Sequence, residues 1–388
     1  MNLAVHDPAG APAGISRLLS ASLAAFGVLV CFTAAIVWLR LTDPGWLIGY
    51  MAGVVLAILL VLSALRRWPT IGVLLERERR VLIGGLLLGA FAYPFFVNEP
   101  YQLHVVAIAG GFALMAVGLN VTTGYAGLPD FGYITYYVIG AYAYALLNTK
   151  LGLSGWWCLP GAGVAAALAS LFVALPSIRV KGHYLALVTL GFASIVILLI
   201  TNLQDLTGGT QGVSGIEPPA LFGHSFGDPL QIAGTTLPAD AHAFYLTLVL
   251  LSIAVLASAR LSRSRWGRAW RAMRGDEVAA QAMGLDLTRL KLLAFATGGV
   301  FGGLAGAVYA WMVGYIDPSS FPFIESIFLL AIVALGNWRI GGVIVTALVF
   351  TILPEKLRMF DEWRLLIFGC ALLIVMLARG RRMGAGGY

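Results

Sequence analysis

Arg260–Lys291, RLSRSRWGRAWRAMRGDEVAAQAMGLDLTRLK, lies between two apolar runs, HAFYLTLVLLSIAVLASA at 242–259 and LLAFATGGVFGGLAGAVYAWMV at 292–313. Neither flank carries a Lys, Arg, Asp or Glu. At 1.5 Å per residue, about 20 apolar residues in a helix cross the roughly 30 Å of bilayer hydrocarbon, so each flank reads as a span. Eight basic residues sit between them. A basic connection between two spans faces the cytoplasm by the positive-inside rule. These 32 residues therefore anchor both the fold class and its orientation.

Composition extends that class to the whole chain. Hydrophobic residues make up 60% of the 388 and charged residues 11%, far from the roughly even apolar share and quarter charged share of soluble domains. Between Val81 and Ile178 the charged residues are Glu99, Asp130 and Lys150 alone. Backbone polar groups in such a stretch must be satisfied inside helices, and continuous apolar runs do not alternate as barrel strands would. The expected fold is all-α, a polytopic integral membrane bundle of about 10–12 spans. The excess positive charge, +7, lies beside the spans and meets anionic lipid, so it argues for no nucleic acid.

Span-length runs occur at roughly 20–39, 46–65, 81–97, 102–119, 132–148, 157–176, 182–201, 242–259, 292–313, 322–337, 341–354 and 365–379. The pair 322–337 and 341–354 is short, and reads either as a span with a half-span or as a re-entrant pair. Basic residues flank alternate connections: Arg66, Arg67, Arg77, Arg79 and Arg80; Arg179 and Lys181; the 260–291 loop; and Arg379, Arg381 and Arg382. The 202–241 segment has Asp205, Glu217, Asp228 and Asp240 and no Lys or Arg, so it is external. Both termini then lie in the cytoplasm. Residues 20–39 exceed the length of a signal-peptide apolar region and read as a retained span. An extension of two spans with a polar cytoplasmic link occupies 1–80, and a core occupies 81–388; alternatively the first two spans belong to one bundle with the rest.

Within the loop, Asp276 is placed to cap a helix, accepting from backbone N–H groups that follow it. Glu277 then sits at the positive end of the helix dipole, and Gly284 supplies the left-handed residue that ends the helix. Two turns do not stand alone in water, so something packs on them. Ala279 and Ala280 allow close approach, and Met283 offers an adaptable apolar knob. The sequence allows two occupants for this helix: a soluble partner, or a lipid surface met by Trp266, Trp270 and the arginines.

Polar side chains within spans are costly and become pathway candidates: Asn120, Asp130, Thr189 and Glu325. Glu325 equally suits the first turn of a helix. Cys31, Cys158 and Cys370 lie singly in apolar runs, and no His pair has metal-ligand spacing, so no metal site is expected. There is no GxxxxGK[ST] phosphate loop, HExxH, nucleophile elbow or paired catalytic carboxylates. The chain does not read as an enzyme.

The pattern Gly267-Arg268-Ala269, Arg271-Ala272, Arg274, Asp276-Glu277, Ala279-Ala280, Gly284 resembles the cytoplasmic loop of ABC importer permeases, and more closely that of the M-type branched-chain amino acid permease subunits. Gly118-Leu119-Asn120, Gly124-Tyr125-Ala126-Gly127-Leu128, Gly132-Tyr133 and Gly140-Ala141-Tyr142 are similar to that family's early core; Arg179-Val180-Lys181-Gly182-His183-Tyr184, Thr207-Gly208-Gly209 with Gly212, and Ser320-Phe321 with Glu325-Ser326 follow in order. Gly275 stands where the family has an acid, His183 where it has Asp, and Leu335-Gly336-Asn337-Trp338-Arg339 where it has a glycine-rich turn.

The resemblance implies a permease subunit of an ATP-driven importer in the bacterial inner membrane, for branched-chain or other hydrophobic amino acids. It implies a second permease subunit, two cytoplasmic ATPases that bring ATP and magnesium, and a periplasmic or extracellular solute-binding protein. The 276–284 helix, with Gly267, Arg271 and Arg274 before it, would meet the ATPase, and Thr207, Gly208 and Gly209 would receive the binding protein. An ion-coupled secondary transporter acting without an ATPase is the rival reading. Against it stand the lack of a repeat between halves and of a membrane carboxylate pair.

Overall fold

The computed structural model describes residues 79–97, 99–178, 180, 183–221, 223–232 and 235–356. The runs at 20–39, 46–65 and 365–379, and the basic groups at 66–67, 179, 181 and 379–382, lie outside these residues. The chain divides after Asn98 into two units. In the first, α1 is Arg79–Phe96.

The second unit is built on helices α2 (Pro100–Leu119), α3 (Ile134–Thr149), α4 (Gly155–Ser177), α5 (His183–Asn202) and α7 (Ala239–Arg263), with a short α6 (Gln204–Thr207). The basic segment forms α8 (Arg265–Gly275) and α9 (Glu277–Ala282), and α10 (Leu287–Val313), α11 (Ile324–Leu335) and α12 (Ile340–Lys356) follow. Among the described residues six helical segments are long and apolar enough to cross a membrane: Pro100–Tyr125, Gly155–Ser177, Tyr184–Asn202, Ala239–Arg263, Leu287–Val313 and Pro318–Leu335. The protein is a helical polytopic membrane protein.

α10 is the hub. It runs beside α3 with glycines at the seam: a Cβ at Gly140 would lie 2.3 Å from Gly303 Cα, and one at Gly306 would lie 2.0 Å from the Tyr137 carbonyl oxygen. Backbones approach this closely only where both faces lack side chains, as in membrane packing by small residues. Gly299 and Gly303 also abut Ser170 and Ala162 of α4, so Gly303 serves both contacts.

Depth follows from the same contacts. The Tyr133 hydroxyl, just before α3, donates to the Gly298 carbonyl at 2.6 Å. Gly298 is eleven residues into α10, about 16 Å from its start. Phe131 N–H donates to Thr189 Oγ1 at 3.0 Å, and Thr189 is six residues into α5, about 9 Å. α3, 16 residues and about 24 Å long, therefore begins beside the interior of α10 and α5 rather than level with their first residues.

α11 is its counterpart. Its span-length segment begins with a single 3-10 turn, Pro318–Ser320, and breaks at 321–323 before twelve helical residues, about 18 Å. Phe321 packs on Tyr137, Tyr142 and Tyr309, while Trp338, just past the helix, stands at the basic end over Arg274. The segment 318–335 is of span length with this break near its start, and α12 is the shorter apolar helix of the pair.

At the end opposite α8 and α9, residues 203–238 form a small cap. Three two-stranded antiparallel pairs occur there: β1 (Val213–Ser214) with β6 (Tyr315–Ile316), β2 (Ala220–Leu221) with β3 (His224–Ser225), and β4 (Leu230–Ile232) with β5 (Thr235–Leu237). These strands modify an all-helical expectation without altering the membrane fold. Tyr144 donates to Glu217 O and Glu217 N donates to Asn148 Oδ1 at 2.7 Å, tying the cap to the end of α3. An open cleft of about 480 Å³ lies between them.

Candidate functional site

Two polar neighbourhoods stand out, one at the basic end and one where α3 and α11 begin. At the basic end, Ser264 caps α8, and Trp270 is fully buried with Nε1 donating to Leu290 O at 2.9 Å. Trp270 therefore serves the internal fold and is not a lipid-facing ring. Gly267 packs on the carbonyls of Leu261 and Ser262, where a Cβ would lie 2.4 Å from the first.

Asp276 is extended, and its Oδ1 accepts from Val278 N at 2.8 Å and Ala279 N at 3.1 Å. Gly284, at φ 84°, follows the helix. Lys291, 2% exposed, holds the start of α9: its Nζ donates to Ser177 O at 3.0 Å and lies 3.1 Å from Glu277 Oε1. Of the small residues, Ala280 is buried against its own chain, whereas Ala279 is exposed. Val278 and Met283, 69% and 85% exposed, form the free apolar surface. The expectation that both alanines face outward is thus corrected: a helix carries residues on all sides, and the one holding Glu277 to Lys291 must seat Ala280.

Arg271 is exposed. Arg274 turns back onto the spans, its Nη1 donating to Gly124 O and its guanidinium lying 5.2 Å from the Trp338 ring centre. Gly124 belongs to a π-helical turn, Asn120–Tyr125, that extends α2. Asn120, fully buried, donates from Nδ2 to Trp338 O at 3.3 Å, so it sits with the basic-end cluster and apart from the other polar span residues.

The second neighbourhood gathers Asp130, Thr189 and Glu325. Asp130 is fully buried, its Oδ1 accepting from Gly132 N at 3.0 Å, and Thr189 is fully buried against Phe131 N. Ser326, the residue after Glu325, accepts from Ile134 N at 2.9 Å. The first turns of α3 and α11 therefore meet, two positive helix ends facing one another with an acid beside each.

At the opposite end, Thr207 Oγ1 bonds the carbonyls of Ile200 and Leu203, and Gly208 and Gly209 take φ of 74° and 60° to turn the chain. Among the described residues no three His, Cys, Asp or Glu side chains gather closely enough to hold a metal ion.

The chain's residues 101–376 match the family model described as branched-chain amino acid transport system / permease component. The chain belongs to this family. Among relatives, the permease is 38% identical over 78% of its length, and 74% of the relative's, to the high-affinity branched-chain amino acid transport system permease protein LivM of Salmonella typhimurium. It is 26% identical over 65% of its length, and 79% of the relative's, to a probable LivM of Methanocaldococcus jannaschii. It is 27% identical over 58% of its length, and 73% of the relative's, to LivH of Escherichia coli. No solved structure matches the permease.

Sequence reasoning missed Lys291, Ser177, Trp270 and Trp338 as parts of this architecture. In the sequence Lys291 is one of eight basic residues between two apolar runs. Its partners are 14 and 114 residues away, and nothing local marks it as buried.

Proposed function

We propose that the chain is the permease subunit of an ATP-driven importer, acting on branched-chain or other hydrophobic amino acids, with α9 held by a cytoplasmic ATPase. The basic end faces the cytoplasm of the bacterial inner membrane, with both termini on that side, and the residue 203–238 cap faces out to receive a solute-binding protein. Thr207, Gly208 and Gly209 belong to that outer face. A second permease completes the translocation path, to which Asp130, Thr189 and Glu325 contribute. A pair of ATPase subunits brings ATP and magnesium, while this chain supplies no cofactor. Residues 1–80 form an extension to the core at 81–388.

One observation carries the coupling role. α9 is six residues long, capped by Asp276 and pinned by Lys291, yet presents Val278 and Met283 to the outside. A helix so short, held rigid on one side and apolar on the other, is built to be pushed. Coupling requires that a partner bind it differently in its nucleotide-bound and free states. Nothing in the fold or the relatives favours an ion-coupled carrier.

Val278 and Met283 are the positions to test, because their changes leave the Glu277 pair intact. V278D with M283E, expressed with a cognate ATPase, is expected to abolish co-purification and amino acid uptake while the permease keeps its yield. Unaltered co-purification would remove α9 from the interface.

A further inference from the structure

Arg274 joins three segments that are distant in sequence. Its Nη1 donates to Gly124 O in the π turn of α2. Its stem lies on Gly127, at φ 74°, where a Cβ would come within 2.6 Å of Arg274 Cγ. Its guanidinium covers Trp338 in the turn between α11 and α12. That turn holds two consecutive non-glycine residues in the left-handed region, Asn337 at φ 60° and Trp338 at φ 58°. Such a conformation persists only where surrounding contacts enforce it. The contacts here are the Arg274 guanidinium on the ring and the Asn120 amide on the Trp338 carbonyl.

The position of Arg274 gives this cluster its use. It stands in the last turn of α8, two residues before the Asp276 cap, so a rigid displacement of α9 acts directly on it. The two segments it grips lead to α3 and α11: the π turn runs through Gly127 to Asp130 and α3, and the Trp338 turn ends α11. Among the described residues Arg274 makes no ion pair, and a ring face with one carbonyl is released far more readily than a buried carboxylate. π turns within α-helices are themselves favoured points of adjustment.

We propose that Arg274 and Trp338 form a latch through which movement of α9 reaches the first turns of α3 and α11, so that ATP hydrolysis drives transport only while this contact holds. The latch rests on the reading of α9 as the ATPase contact. Trp338 is a positioning residue that touches no substrate.

The test uses the full complex of permease subunits, ATPases and binding protein in proteoliposomes, with leucine as the transported probe and uptake per ATP hydrolysed as the readout. W338G suits the left-handed backbone but removes the ring, whereas W338F keeps a ring. The latch requires W338G and R274A to lower uptake per ATP about tenfold, with W338F within about twofold of the unaltered chain, a difference of the size that site-to-site coupling energies produce. ATPase co-purification stays unchanged in W338G and W338F, because Trp338 lies outside the 276–284 contact. Normal uptake per ATP in W338G, or in R274A should W338G not assemble, overturns the latch. If the unaltered permease itself retains no ATPase, the reading of α9 fails first and the latch with it.

Discussion

Lys291 and Glu277 form an asymmetric pair 3.1 Å apart, with the lysine side chain 2% exposed and the glutamate 23%. Removing the glutamate strands a charge inside the protein; removing the lysine leaves a carboxylate that water already reaches. Losing one partner of a buried pair costs about 3–5 kcal/mol when the charge left behind is uncompensated, so E277A is expected to destabilise more than K291M. The double variant should recover much of the loss. Thermal unfolding of the purified permease checks the order.

The Asp276 carboxylate serves two backbone N–H groups at once. D276A is expected to cost about 1 kcal/mol of local helix stability, and D276S or D276N to restore most of it. Amide exchange at Val278 and Ala279 reads this directly. Faster exchange in D276A alone, with the spans unaffected, is the expected pattern.

Gly140 meets the Gly303 backbone, whereas Gly111 has open space where a Cβ would go. Each glycine lies within a helix, so propensity alone favours alanine at both. G140A is expected to destabilise by about 1–3 kcal/mol through overpacking, and G111A to be neutral or mildly stabilising. Detergent stability of the two variants, measured side by side, separates packing from propensity.

Ser326 accepts from Ile134 N where the first turns of α3 and α11 meet. S326A leaves that buried N–H without an acceptor, at a cost of about 1–3 kcal/mol, and S326T restores it. Uptake should fall with S326A and return with S326T if the junction belongs to the path. Equal uptake in all three would leave the contact a purely structural one.

The apolar runs, the basic loop and the Asp276 to Gly284 helix were legible in the sequence because each is a local signal. Span length, charge sidedness and capping are settled within about 20 residues of chain. The depth at which α3 and α11 begin was not legible. Residues 132–148 and 322–337 are as apolar as a crossing helix, and hydropathy measures what a segment tolerates, not where its ends lie. The depth of α3 is set by Tyr133 on Gly298 and Phe131 on Thr189, contacts between residues 165 and 58 positions apart.

By itself, the sequence determined that this is a helical membrane protein with a basic, structured loop between two spans, since transfer of apolar surface depends on composition and order alone. Tertiary structure alone decided which of the charged and polar residues do more than set orientation. Lys291, Arg274 and Trp338 take their roles from partners brought together by the glycine-lined packing of α10, and a buried charge or a strained turn is held only by neighbours that no local pattern encodes.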